Sequence, residues 1–307
     1  MSDSYFPIRL NTLRPDEVVT FDIYLRLGNR YIHYNREQDE MEGLRLKNLK
    51  SKGVRKLFIL AQEEDKYLHY LEDGLNNLKD QSRDIESRGA LAHDVMVSAV
   101  ENAEKNLETE AGFQGQKKHF DKISEFITSD RNAIKSMLQS AGISVDNNHH
   151  SATVSSLCLA VASKAGMENK NDLFELGTAA LLHDLGKSRL KFDAMKARDK
   201  MTSAELKQFK NHPQDGADML AGKPYISPRI LGLVAAHEEM GEGRGFPQKV
   251  NLFKQPLSYQ ILSMVNQFDH FATENNLPLA KAMDPFFEKF NRDYDDGLLT
   301  TLATVLT

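Results

Sequence analysis

Apolar positions alternate in twos near the start of the chain and recur every three or four residues over most of the rest. Residues 17–36 place Phe21, Ile23 and Leu25 on alternate positions, then Gly28-Asn29, then Tyr31, His33 and Tyr34, which predicts two strands joined by a tight turn. Leu44, Leu46 and Leu49 have helical spacing and stop at Gly53, and the run VRKLFIL that follows reads as a short buried strand. Residues 1–62 are thus expected to form a small α/β module, in which His33 is read as a half-exposed strand residue. From Glu63 to Gly142 the chain is highly charged and free of proline, with Leu68, Leu71, Leu75 and Leu78 at helical spacing, which predicts long connecting helices.

Residues 143–307 predict helices separated by loops and no strands. A first helix, HHSATVSSLCLAVASKAG, aligns His150, Val154, Leu157 and Val161 and ends at Gly166. A second, NDLFELGTAALLHDLG, is expected to be capped by Asn171 or Asp172 and to carry Leu173, Leu176, Ala180 and His183 on one stripe. A third opens with a capping box from Thr202 to Glu205 and breaks at His212-Pro213. A fourth follows Ser227-Pro228 and aligns Ile230, Val234 and His237, and a glycine-rich loop stops it. A fifth places Leu262, Asn266 and Asp269 on one face, and a last segment carries Leu298, Leu302 and Val305. The expected fold is α+β overall, a small N-terminal α/β domain joined to a mainly α-helical C-terminal bundle.

Composition narrows the function. The net charge of −5 argues against a nucleic-acid duplex as partner, because neutralising phosphates needs a concentrated basic surface. Cys158 is the single cysteine, so no intrachain disulfide forms, and it reads as a small buried hydrophobe. No stretch approaches the roughly 18 apolar residues of a membrane span and the N-terminus lacks a signal peptide, so a cytoplasmic protein is expected.

Six of the ten histidines lie from His149 onward. His150, His183, His212 and His237, with Asp184 and with Asp269 or Asn266, fall on successive helices near the polar ends of apolar faces. Burying such a group costs several kcal/mol unless a cation neutralises and orients it. A nitrogen and oxygen set without thiolates suits iron, manganese or zinc, and its size exceeds one tetrahedral site, so two divalent metals sharing Asp184 are expected. Asp146 is a weaker candidate for a third. His93-Asp94 repeats the dipeptide without a following Gly-Lys and is read as structural.

Three segments, HDLGKSRL, HPQDGADML and HEEMGEGRGFP, together resemble the HD-GYP family of cyclic dinucleotide phosphodiesterases over about residues 146–300. The resemblance implies the metal ligands His150, His183, Asp184, His212 and His237, and Lys187 as the residue that contacts a substrate phosphate. It also implies an HD-type bundle, iron ahead of manganese or zinc, and cyclic di-GMP as ligand; residues 1–62, which the resemblance does not cover, are read as a regulatory or partner-binding module. Lys187 and Asp184 are the expected catalytic residues, and Gly243, Arg244, Gly245 and Phe246 join Lys187 in binding substrate. The sequence departs from the family pattern in four places. Ala236 stands for the first histidine of the HHE segment, the glycine loop is one residue longer, Phe246 replaces the GYP tyrosine, and Asn266 replaces the first of two aspartates. These departures raise two alternatives, a catalytically weak cyclic-dinucleotide receptor or interaction module, and an HD phosphohydrolase acting on another nucleotide.

Overall fold

A computed structural model of the protein describes residues 4–130, 132–141, 147–193 and 198–307. The N-terminal strands are β1 (Tyr5–Arg9), β2 (Glu17–Val18), β3 (Ile23–Leu27), β4 (Arg30–Asn35), β5 (Glu40–Met41) and β6 (Lys56–Leu60). The expected hairpin forms between β3 and β4, with Leu27 opposite Arg30 and Gly28 at a φ of +60°, a conformation that glycine takes without steric cost. The first part of the segment read as one strand is different: Glu17–Val18 pairs with Glu40–Met41 in a separate two-stranded sheet. The main sheet is antiparallel in the order β1-β6-β3-β4. The VRKLFIL strand is therefore internal, which is why Leu57 and Ile59 are fully buried. Its neighbour β1 lies in a segment with too little alternation to read as a strand, since Pro7 interrupts it. Helix α1 (Gly43–Ser51) covers the sheet through Leu49 and ends before Gly53, while Leu44 points to solvent.

The charged middle of the chain is helical: α2 (Glu64–Asn76), α3 (Ile85–Glu101), α4 (Ala103–Asn106), α5 (Glu110–Ser129) and α6 (Ala133–Ala141). These helices do more than connect. Ten consecutive residues of α3, Arg88 to Val97, are buried, because the helix packs on α6 and on the central helix α7 (Asn147–Lys164). α7 is itself buried without interruption from His149 to Ala162. An element apolar or small on every face belongs in the middle of a bundle.

Around α7 stand α8 (Lys170–Leu182), α9 (Ser203–Phe209), α10 (His212–Leu220), α11 (Pro228–Ala236), α12 (Leu257–Glu274), α13 (Leu279–Phe290) and α14 (Asp296–Leu306). Asn169, rather than Asn171 or Asp172, caps α8, accepting from the backbone N–H groups of both later residues. The capping box from Thr202 to Glu205 forms in full, and Ser227 caps α11 ahead of Pro228. α13 is an element beyond the sequence expectation; Pro285 within LAKAMDPFFEKF masks its helical pattern. One apolar core runs from Ile8 in the sheet to Leu302 in α14, so the N-terminal module is packed into the bundle.

Candidate metal centre

Three helices end in the same way. His183 follows α8, His237 follows α11, and His212 lies three residues beyond the end of α9. In each case the imidazole Nδ1–H donates to a carbonyl three residues back: Ala180 at 2.7 Å, Val234 at 2.7 Å and Phe209 at 2.6 Å. The last carbonyls of a helix have no intrahelical partner, so a histidine placed there satisfies one of them. The bond fixes the tautomer and leaves each Nε2 with a lone pair aimed inward. His150, in the first turns of α7, is held differently: its Nδ1 lies 2.6 Å from the Asp269 carboxylate on α12.

These four Nε2 atoms converge. His150 and His183 bring theirs to 3.2 Å, and His212 and His237 theirs to 3.0 Å. Asn266 Oδ1 lies 3.1 Å from His150 Nε2. Asp184 stands between the pairs, with Oδ1 3.3 Å from His212 and 3.7 Å from His237, and Oδ2 3.5 Å from His183 and 3.8 Å from His150. All but one of these residues are essentially sealed from solvent, and His150 is only 6% exposed. Lone pairs facing one another at such distances repel, and Asp184 Oδ1 has no hydrogen-bond partner. A divalent cation removes both costs, so the donor set fits a metal.

The electrostatics agree. Burial drives the His183 imidazole down to about 4 and His237 well below its ordinary value, which keeps both neutral and able to donate a lone pair. Burial pushes the Asp184 carboxyl upward, but His183, itself protonated in the acid range where the carboxyl titrates, and the Lys187 ammonium outweigh it and hold the group well below the usual range. Lys187 supplies the nearest full charge, its Nζ 2.5 Å from Asp184 Oδ2.

The backbone explains the glycine between the aspartate and the lysine. A Cβ on Gly186 would meet His212 O at 2.0 Å and Gly216 N at 2.5 Å, so the turn at Leu185–Arg189 and α10 touch main chain to main chain. That contact sets His212 beside Asp184.

The glycine loop is tied down by a residue the sequence reading passed over. Glu239, 1% exposed, accepts from the N–H groups of Gln248, Lys249 and Val250. Gly245 packs against the Glu238 carbonyl and the Glu239 backbone, where a Cβ would come within 2.4 Å, and Gly243 takes a φ of +76°. Phe246 is half-buried, its ring 6.4 Å from that of His212, with the Arg198 guanidinium 5.7 Å away. Arg244 faces elsewhere: it pairs with Asp293 at 2.9 Å and donates to the carbonyls of Gly241 and Arg292.

Three further residues belong to the picture. Arg198 grips Glu238 through both carboxylate oxygens, at 2.9 and 3.2 Å. Glu238 itself forms a potential metal-binding group with His212 and His237. His270 forms another with His150 and Asp184, and its position four residues after Asn266 on α12 was the available signal. Asp146 lies outside the described residues. His93-Asp94 is buried and structural: His93 Nε2 lies 3.1 Å from His149 Nδ1, and Asp94 pairs with Arg9 at 3.5 Å.

A cleft of about 760 Å³ reaches Asp184 and Lys187 from the surface. Its walls include Phe6 to Arg9 of β1, Lys56, the last turn of α3 and the first turn of α7, so the N-terminal module forms one side of it. Among the described residues, no helix is long and apolar enough to cross a membrane.

A family profile described as HD domain matches residues 126–295. A cyclic di-GMP phosphodiesterase of Pseudomonas aeruginosa is 30% identical over 128 residues, 41% of this chain and 30% of that protein. The cyclic di-GMP phosphodiesterase response regulator RpfG of Xanthomonas campestris is 27% identical over 125 residues, 40% of this chain and 33% of that protein. The match thus spans about a third of each curated relative. An HDG"Y"P protein from Bdellovibrio bacteriovorus of known structure is 28% identical, with a TM-score of 0.81 over 99% of both chains, so the likeness includes the N-terminal module. HD domains bind divalent metals, in keeping with the donor set described above. The chain belongs to the HD domain family and is a homologue of the HD-GYP proteins.

Proposed function

We propose that the protein is a metal-dependent phosphodiesterase that opens cyclic di-GMP to the linear dinucleotide, or on to GMP, under the control of its N-terminal module. The observation that carries this reading is the two-sided Asp184, with Oδ1 toward His212 and His237 and Oδ2 toward His150 and His183. A carboxylate so placed suits a bridge between two cations, and the nitrogen-rich, thiolate-free set suits iron ahead of manganese or zinc. When bound, such cations supply Lewis acidity toward a phosphoryl oxygen and an activated water near neutral pH.

The chain's own residues have distinct tasks. Lys187, at the inner end of the cleft, directs its charge at a non-bridging phosphoryl oxygen. Asp184 keeps that lysine oriented as well as serving the metal. Gly243 and Gly245 let the loop fold closely on its own backbone, which presents the half-buried Phe246, whose ring face suits stacking on a base. Residues 1–62 act as the regulatory or partner-binding part, residues 63–142 as the helical connection, and residues 143–307 as the metal-binding part. The buried Cys158 fits a reducing, cytoplasmic setting.

Incubating iron- or manganese-loaded protein with cyclic di-GMP and separating the products by chromatography tests the reading. Linear dinucleotide or GMP is expected, and no turnover with either metal refutes it. A receptor for the same ligand is the second reading, favoured by the engagement of Arg244 with Asp293 and by the neutral Asn266 beside His150. Calorimetry separates the two, since a receptor binds the dinucleotide tightly and returns it unchanged.

A further inference from the structure

We propose that His270 is a metal ligand, acting with His150 and Asp184. The inference rests on the metal-centre reading above and adds to it a donor outside the motif set. Helix α12 turns Asn266, Asp269 and His270 to the same side, since positions three and four apart lie on one helical face. Asp269 is already engaged with His150 Nδ1, at 2.6 Å. The next residue carries the donor. The His270 ring lies against that of His150, with centroids 4.2 Å apart and planes at 32°.

One ring nitrogen of His270, one of His150 and an Asp184 oxygen all lie within 4.8 Å of one another. Donors around a single cation at about 2.1 Å span roughly 3 to 4 Å, so a small inward movement closes the group on an ion. His270 Nε2 is buried and has no hydrogen-bond partner among the described residues, in contrast to the Nδ1 atoms of His150, His183, His212 and His237, each of which is held. A buried imidazole nitrogen without a partner, set beside the His150 ring, is a donor available to a cation.

Wild-type protein, His270→Phe and His270→Glu are loaded with cobalt(II), and metal content, affinity by chelator competition and the visible cobalt bands are measured. Phenylalanine keeps the stacking on His150 and removes both donors, while glutamate restores an oxygen donor. Loss of a residue that only orients a ligand weakens binding about 10- to 100-fold, so loss of a ligand is expected to cost about 100-fold or more and to alter the cobalt spectrum. His270→Glu is expected to recover the metal content. A His270→Phe protein with wild-type stoichiometry, affinity and spectrum overturns the assignment and leaves the metal-centre reading intact. Wild-type protein that takes up no cation overturns both. A measurement on the wild type needs no variant to fold: with cadmium-113 and nitrogen-15-labelled histidine, the His270 ring nitrogen is expected to show coupling to cadmium, and its absence in a loaded centre refutes the proposal.

Discussion

Replacing Arg9 by methionine tests how the N-terminal module is fastened to the bundle. The Arg9 side chain is 6% exposed and reaches three groups: Glu101 at 2.9 Å, His149 Nε2 at 2.9 Å and Asp94 at 3.5 Å. Methionine retains an apolar stem of similar length, so the change removes the charge more than the packing. Glu101 keeps Lys56 at 2.9 Å as a partner. Asp94 does not fare as well, because burial already pushes its carboxyl above the ordinary value and Arg9 is the cation that opposes the shift. Breaking a buried pair by deleting one member costs about 3–5 kcal/mol. Hydrogen bonds from Asn11 still reach Asp94, which places the expected loss near the lower end, about 3 kcal/mol. For a slope of about 3 kcal/mol per molar urea, the unfolding midpoint followed by far-ultraviolet circular dichroism falls by about 1 M. Adding Asp94→Asn removes the stranded charge and keeps the amide shape, so the double variant is expected to recover half or more of the loss. A single variant within 0.5 kcal/mol of wild type, or a double variant no more stable than Arg9→Met, refutes the account.

Asp269→Asn loosens the grip on His150 Nδ1 and is expected to weaken metal binding about 10- to 100-fold in chelator competition, with the fold unchanged by circular dichroism. Gly186→Ala forces a Cβ into the His212 carbonyl, 2.0 Å away; a loss of about 1–3 kcal/mol in thermal unfolding and a fall in metal content should appear together. Acid should destabilise the metal-free protein over a defined range. His93 and His183 are held neutral by burial, pushed down to about 3 and about 4 from an ordinary 6.5. Their contribution is complete above pH 6.5 and declines as the unfolded chain takes up protons that the native state refuses. By pH 5 the loss is on the order of 2 kcal/mol for each, and His93→Phe should flatten part of the decline in urea midpoint against pH.

How much was legible depended on whether a residue's role was local. The helices carrying His150, His183, His212, His237 and Asp269 announced themselves through apolar spacing and caps, and Thr202 and Glu205 form the box their types imply. The hairpin at Gly28 followed from alternation and a turn residue. What stayed hidden was pairing at a distance. β1 lacks a clean period and is a strand because β6 lies beside it. Glu239 reads as one more acidic residue, and its task appears once the loop folds back to offer three N–H groups. The dipeptide His93-Asp94 looks like a site, yet its partners are Arg9 and His149, which no local spacing connects. His270 was obscured by Asp269, which already occupied that face in the pattern.

The donors held by Ala180, Phe209 and Val234 have a consequence for how the centre can be tuned. Their outer contacts are main-chain carbonyls, so substitutions around them leave tautomer and ring direction unaltered while the helices stand. His150 is the exception, because a side chain holds it. A carboxylate makes an imidazole more basic than a carbonyl does, and exchanging it changes that basicity in one step. Of these four imidazoles, His150 is therefore the adjustable one, the point at which a single codon retunes the affinity of the centre without rebuilding its frame.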